Sequence, residues 1–213
     1  MKKQMSRILS LVIALCLLVS INAAYAGEFD SETITVNGER YIVVIHENDS
    51  SRIVSMYDGE NNLIEKYSFL KNENEIVNLL TDDVVGYGVL QNSNAREAII
   101  DDEGYYYGGW YLYGIDNIST QTGFIAALLS VGTTIGVATE IATSAGIAGL
   151  FIGGQSVIDY YFDIKIDEWW KTDTLYQYCK RIVNVYKGRY VENGINDHVG
   201  GPSEWVRKTS INN

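Results

Sequence analysis

The sequence predicts an α+β protein: an N-terminal antiparallel β-meander followed by a C-terminal helical part with a Gly/Ala-rich apolar helical hairpin. Three observations lead there. Over the first half, short β-branched runs alternate with turn signals. Residues 123–158 then carry a single charged side chain, Glu140. Beyond them, Leu175, Tyr178, Cys179, Ile182, Val183 and Tyr186 recur at helical spacing.

Taken from the start, Lys2, Lys3 and Arg7 form a basic region, residues 8–19 an apolar run, and Ala24-Tyr25-Ala26 a small-x-small cleavage site. The expectation is a signal peptide over residues 1–26, cleavage after Ala26 and a secreted chain from Gly27. An acidic β-rich domain is expected over residues 27–115. Within it, residues 33–36 lead into Asn37-Gly38, a strong hairpin signal. Strands follow over residues 41–45, 52–57, 63–69 and 82–90, with a short helix expected over residues 74–80. Residues 103–114 are dense in Tyr, Trp and Gly, and a domain boundary is placed just after them.

A helical domain is expected over residues 116–213. In its apolar stretch Gly132, Gly136, Thr139, Thr143, Gly146, Gly149 and Gly153 recur every three or four residues, a stripe of small side chains along one helical face. Such a stripe lets a second backbone come close, as helices do in membranes. One helix of 36 residues would span roughly 54 Å against a hydrocarbon layer of about 30 Å. A hairpin over residues 123–161 fits better, with arms at 123–139 and 146–161 and Glu140 near its tip. Asp173 then reads as the N-cap of an amphipathic helix over residues 173–187, which Gly188 terminates. Asn193-Gly194 and Gly200-Gly201-Pro202 suggest turns or a final hairpin.

Charge divides along the chain. The whole sequence has 27 acids and 16 Lys and Arg, but residues 27–120 hold 18 acids and 5 bases whereas residues 121–213 hold 9 and 8. An acidic first half argues against nucleic acid and against electrostatic attachment to anionic lipid. Catalytic chemistry finds little support. His46 and His198 are the only histidines, no Ser-His-Asp or metal-ligand spacing is present, and Cys179 reads as a buried thiol. The chain therefore does not read as an enzyme, and no cofactor or metal is expected.

The apolar stretch has two readings. It is either the buried core of a soluble domain or a segment that enters a bilayer. Trp110 and Tyr111 before it, and Trp169 and Trp170 after it, suit a water–lipid interface. In the membrane reading Gly132, Gly136, Glu140, Gly146, Gly149 and Gly153 mark insertion and helix packing, while Lys180, Arg181, Lys187 and Arg189 lie near lipid phosphates.

Three blocks, the tyrosine-rich residues 104–114, the Gly/Ala/Thr-rich residues 122–154 and residues 169–194, resemble the geobacillin-type large bacteriocins of Gram-positive bacteria. The resemblance covers a little under half of the chain after residue 26 and supplies no catalytic residues. It implies a secreted, unmodified antibacterial protein. Its partners would be a target-cell membrane, a surface receptor or immunity protein, and other copies of itself in the membrane. The competing reading is a secreted binding module or inhibitor whose apolar hairpin is ordinary core.

Overall fold

A computed structural model describes residues 28–91, 99–151 and 161–211. Its ten strands form one antiparallel sheet in simple sequence order: β1 (Glu28–Val36), β2 (Glu39–Glu47), β3 (Ser51–Tyr57), β4 (Leu63–Leu70), β5 (Glu75–Asn78), β6 (Asp83–Gln91), β7 (Tyr106–Ile115), β8 (Phe162–Thr172), β9 (Tyr176–Lys187) and β10 (Asp197–Ser210). Between β7 and β8 the chain leaves the sheet for three short helices, α1 (Gln121–Ser130), α2 (Ile135–Thr143) and α3 (Ala145–Phe151). The fold is thus an all-antiparallel sheet wound past a small helical insert.

Local chemistry explains the turns. Asn37 and Gly38 both take positive φ, which the tight β1–β2 hairpin requires. Asp58 accepts from the backbone N–H groups of Glu60 and Asn62 and closes the β3–β4 turn. Asp173 accepts from Leu175 and Tyr176 N–H at the β8–β9 turn.

The sheet curls so that one face encloses the helices. Val43, Met56, Ile76, Ile115, Ile164 and Val185, each from a different strand, join Phe124, Leu128 and Ile141 in a single core cluster. Helix α1 packs on β3 and β4, while α2 touches both β1 and β10. Those two strands end the sheet and do not pair with each other. Helix α2 therefore covers the seam that strand pairing leaves open.

This architecture corrects the expected α+β division. The helical C-terminal part is absent: residues 162–210 are mostly strand. The amphipathic helix expected over residues 173–187 is β9, with Asp173 capping a turn instead of a helix. Its two periods overlap. Cys179 and Val183 face the core on one side of the strand, while Tyr178, Ile182 and Tyr186 lie on the other, so apolar residues on both faces imitate a spacing of three and four. The short helix expected over residues 74–80 is β5. Gly200 and Gly201 do not turn the chain back, because β10 absorbs them as register shifts between His198 and Ser203. The single helical hairpin is replaced by three helices, since the chain breaks first at residues 131–134 and again at Ser144. Strands β7 and β8, which lie on either side of the helical insert, pair with each other.

Candidate functional site

The apolar segment is built to be enclosed. Thr120 caps α1 by accepting from Gly123 N–H at 2.9 Å, and Thr134 caps α2 by accepting from Val137 N–H at 3.4 Å. Between them Gly132 takes φ +93°, which reverses the chain. Helix α1 is apolar on every side, and Phe124, Ile125, Ala126, Ala127, Leu128 and Leu129 are all 0% exposed. Helix α2 buries only one face, with Ile135, Val137, Ala138, Ile141 and Ala142 inward. In α3 only Ile147 is buried. Enclosure therefore fades from α1 to α3.

A few polar contacts fasten this insert to the sheet. The Arg52 guanidinium donates to Leu129 O at 2.8 Å and Thr133 O at 3.2 Å, satisfying carbonyls at the end of α1, and its remaining arm reaches Glu47 at 2.6 Å. At the other end Glu65 accepts from Thr120 at 2.6 Å and Thr122 at 3.2 Å. Gln121 donates to Ala142 O at 2.6 Å and accepts from Asn37 at 2.7 Å, tying α1, α2 and the first hairpin together. Burial pushes the Glu65 carboxyl above its usual range, and the two threonine hydrogen bonds offset only part of that.

The glycines expected to form one stripe have separate surroundings. Gly136 and Gly149 are exposed, and a Cβ on either would meet nothing within 4 Å. Gly146 lies against the backbone of Val199 in β10, and Gly132 faces Arg181. Glu140 is exposed on α2. Gly153 lies outside the described residues, as do the signal peptide with its cleavage after Ala26 and most of the expected second arm. No helix among the described residues is long and apolar enough to cross a membrane.

Strand alternation sorts the four expected interfacial aromatics onto two faces. Tyr111 packs on the core cluster beside its partner Ile166, and Trp170 faces inward near Cys179. Trp110 and Trp169 lie on the outer face. Trp110 meets Tyr190 edge-on at 6.1 Å, and Trp169 meets Tyr107 at 4.9 Å. The four basic residues divide likewise. Lys180, outside, pairs with Asp101 and Glu103, while Arg181, inside, pairs with Glu168 at 2.8 Å. Lys187 ends β9, and Arg189 lies over the Tyr161 ring. All four thus serve intramolecular packing or sit at strand ends.

Beyond the core, the inner face of β9 and β10 changes character. Val183 and Ser203 close the core, and then Arg181 faces Trp205, Cys179 faces Arg207 and Gln177 faces Thr209. Together with Arg52 and the α1–α2 turn they line a cavity of 630 Å³ at one end of the curled sheet. Sequence reading did not single out Arg52, Arg207 or Trp205, because the strand face they share emerges only once the register is known. Cys179 is buried here, and burial raises its thiol pKa, which disfavours the thiolate. His198 pairs with Tyr186, far along β9 from Cys179. No group of three or more His, Cys, Asp or Glu among the described residues is placed to hold a metal ion. No family model, curated protein or solved structure matches the chain.

Proposed function

We propose that this is a secreted antibacterial protein that permeabilises the membranes of related bacteria with its apolar insert, held inside the sheet until contact with the target. One observation supports the reading most: an insert with Glu140 as its only charge is enclosed by a sheet whose terminal strands do not pair with each other. A protein needing only a core would be served by an amphipathic helix; α1 has no polar face to turn to water. Burying a Phe, Leu or Ile side chain is worth about 1.5–3 kcal/mol whether the cover is protein or hydrocarbon, so lipid replaces most of what α1 loses on leaving. What lipid does not replace is the set of polar contacts from Arg52, Glu65 and Gln121. The resemblance to geobacillin-type bacteriocins points the same way.

The experiment is dye release from phosphatidylglycerol and phosphatidylcholine vesicles by the purified secreted chain, with killing of Gram-positive bacteria scored in parallel. Release and killing together are expected. If the protein neither releases dye nor kills, while its thermal melt is unchanged by vesicles, the reading fails and a soluble binding module is the better account.

A further inference from the structure

We infer that the cavity at the end of the sheet is a binding site for a phosphorylated sugar or polyol. The inference stands on the cavity alone and holds whether or not the helices leave the sheet.

Strands β9 and β10 run past the helical insert. An inner face meant only for packing would continue with residues like Val183 and Val185. Instead it carries two guanidiniums, from Arg181 and Arg207, with an amide and a hydroxyl from Gln177 and Thr209. Arg181 and Arg207 are diagonal neighbours on adjacent strands, within mutual reach of one small group. Arg181 is held in place: its Nε and one terminal nitrogen bind Glu168, which also accepts from Trp170 Nε1 at 2.8 Å. Its other terminal nitrogen is directed toward the Gly132 turn, 3.6 Å from where a Cβ on that glycine would lie. Arg207 is exposed and has no ion-pair partner among the described residues.

The cavity lining has three arginines; Glu47 pairs with Arg52 and Glu168 with Arg181, which leaves the positive charge of Arg207 uncompensated among the described residues, in a chain with net charge −11. Local charge of the opposite sign to the whole molecule selects an anion. A single guanidinium fork satisfies a carboxylate, whereas two converging ones suit the three acceptor oxygens of a phosphate. The volume, 630 Å³, is within the range of about 300–1,000 Å³ usual for small-molecule sites and is larger than a phosphate needs. The remaining surface includes two indoles, Trp170 and Trp205, and the hydroxyl-bearing Thr134 and Thr209, whereas the Thr133 hydroxyl is buried and donates to Leu128 O. Flat aromatic faces beside hydroxyls match a hydroxyl-rich ring or chain attached to the phosphate. Wall polymers, lipid headgroups and soluble metabolites all present that chemistry.

Trp205 and Trp170 make the test direct. Intrinsic fluorescence of the purified protein is titrated with N-acetylglucosamine 1-phosphate, with the unphosphorylated sugar and with inorganic phosphate. A saturable change is expected with the sugar phosphate, weakened by added salt. Arg207→Gln should weaken it about tenfold, the loss of one charge-assisted contact. Arg207 is on the surface, so this variant folds, which its unchanged far-UV spectrum and melt will verify. No saturable response, equal response to the unphosphorylated sugar or to inorganic phosphate, or unaltered binding by Arg207→Gln would each overturn the assignment. Competition by glycerol phosphate polymer from Gram-positive walls, against competition by phosphatidylglycerol vesicles, then distinguishes a wall ligand from a headgroup. Dye release is read separately, so failure of this site leaves the membrane reading to its own test.

Discussion

Glu65 is 9% exposed and lies where the first turn of α1 meets β4, accepting from Thr120 and Thr122. Because burial raises its folded pKa above the unfolded value, folding favours the protonated form. Its contribution to stability is complete below the ordinary carboxylate range and is lost as pH rises through the folded pKa. Asp163, also buried, shifts the same way. Glu47 opposes them: despite its burial, Lys71 and Arg52 hold its pKa low, so its contribution is present above the ordinary carboxylate range and lost as acid protonates it. Glu65→Gln keeps an acceptor for the threonines and removes the buried charge. It should raise the melting temperature at neutral pH, and by less at mildly acid pH, where Glu65 is itself protonated. Melts across that range will check this; a variant less stable at neutral pH would contradict it. At Gly146 two effects conflict. In a helix Ala is better than Gly by about 0.8–1 kcal/mol, but a Cβ here runs into the Val199 carbonyl, backbone that cannot swing aside. The collision should win, with Gly146→Ala destabilising by about 1–3 kcal/mol in urea melts. The sequence marks this glycine as special, but the nearby β10 backbone, not a second helix, is what makes it so.

At the level of elements, turns were legible and the larger helix–strand division was not. Asn37-Gly38 and Asp173 carry their turn chemistry in two or three residues, so a short window contains the whole cause. Strand β9 does not. Its outer face is covered by Tyr190 and other aromatics, so apolar side chains occur on both sides and the period of two is hidden. Helices α1 to α3 are recognisable as apolar helix, but the break at Gly132 depends on Arg52 satisfying the carbonyls there, and Arg52 lies some 80 residues earlier. That long-range fastening has a testable consequence. Arg52→Gln leaves buried carbonyls without their donor, costing about 1–3 kcal/mol, and in the proposed mechanism it also lowers the barrier to freeing α1. Expected, therefore, are a lower melting temperature and faster dye release together; slower release by this variant would count against a stored membrane segment. Gly136→Leu and Gly149→Leu separate the two states from the other side. Open space surrounds both positions in the folded protein, so yield and melting should stay near those of the unaltered chain. Killing should fall if these glycines pack helix on helix in lipid, and killing assays normalised to protein will show whether it does.

For the whole molecule, the decisive feature is that the sheet is curled but not closed. The first six strands follow one another in sequence order through short local connections, which is why the first half could be read as a meander. Nothing local says that β1, which ends at Val36, and β10, which begins at Asp197, approach the same helix, and that α2 fills the place of a missing strand pairing. The seam is also where the insert has least cover, so opening there is the route by which it would leave. Fastening the insert to β10 beside the seam should then abolish membrane activity without unfolding the protein. A Cβ built on Gly200 in β10 lies 3.6 Å from Ser144 Oγ, between α2 and α3, which is within reach of a disulfide once Ile141 and Ile147 yield by a few tenths of an ångström. Cys179 is a poor competitor for that bond, being 7% exposed with its thiol pKa raised by burial. The pair Ser144→Cys and Gly200→Cys should, when oxidised, release no dye and kill no cells, and reduction should restore both. Reversal by reductant distinguishes a lock from simple damage to packing. Equal release by the oxidised and reduced forms would show that the helices act from inside an intact sheet, or that the sheet itself is the membrane-active part.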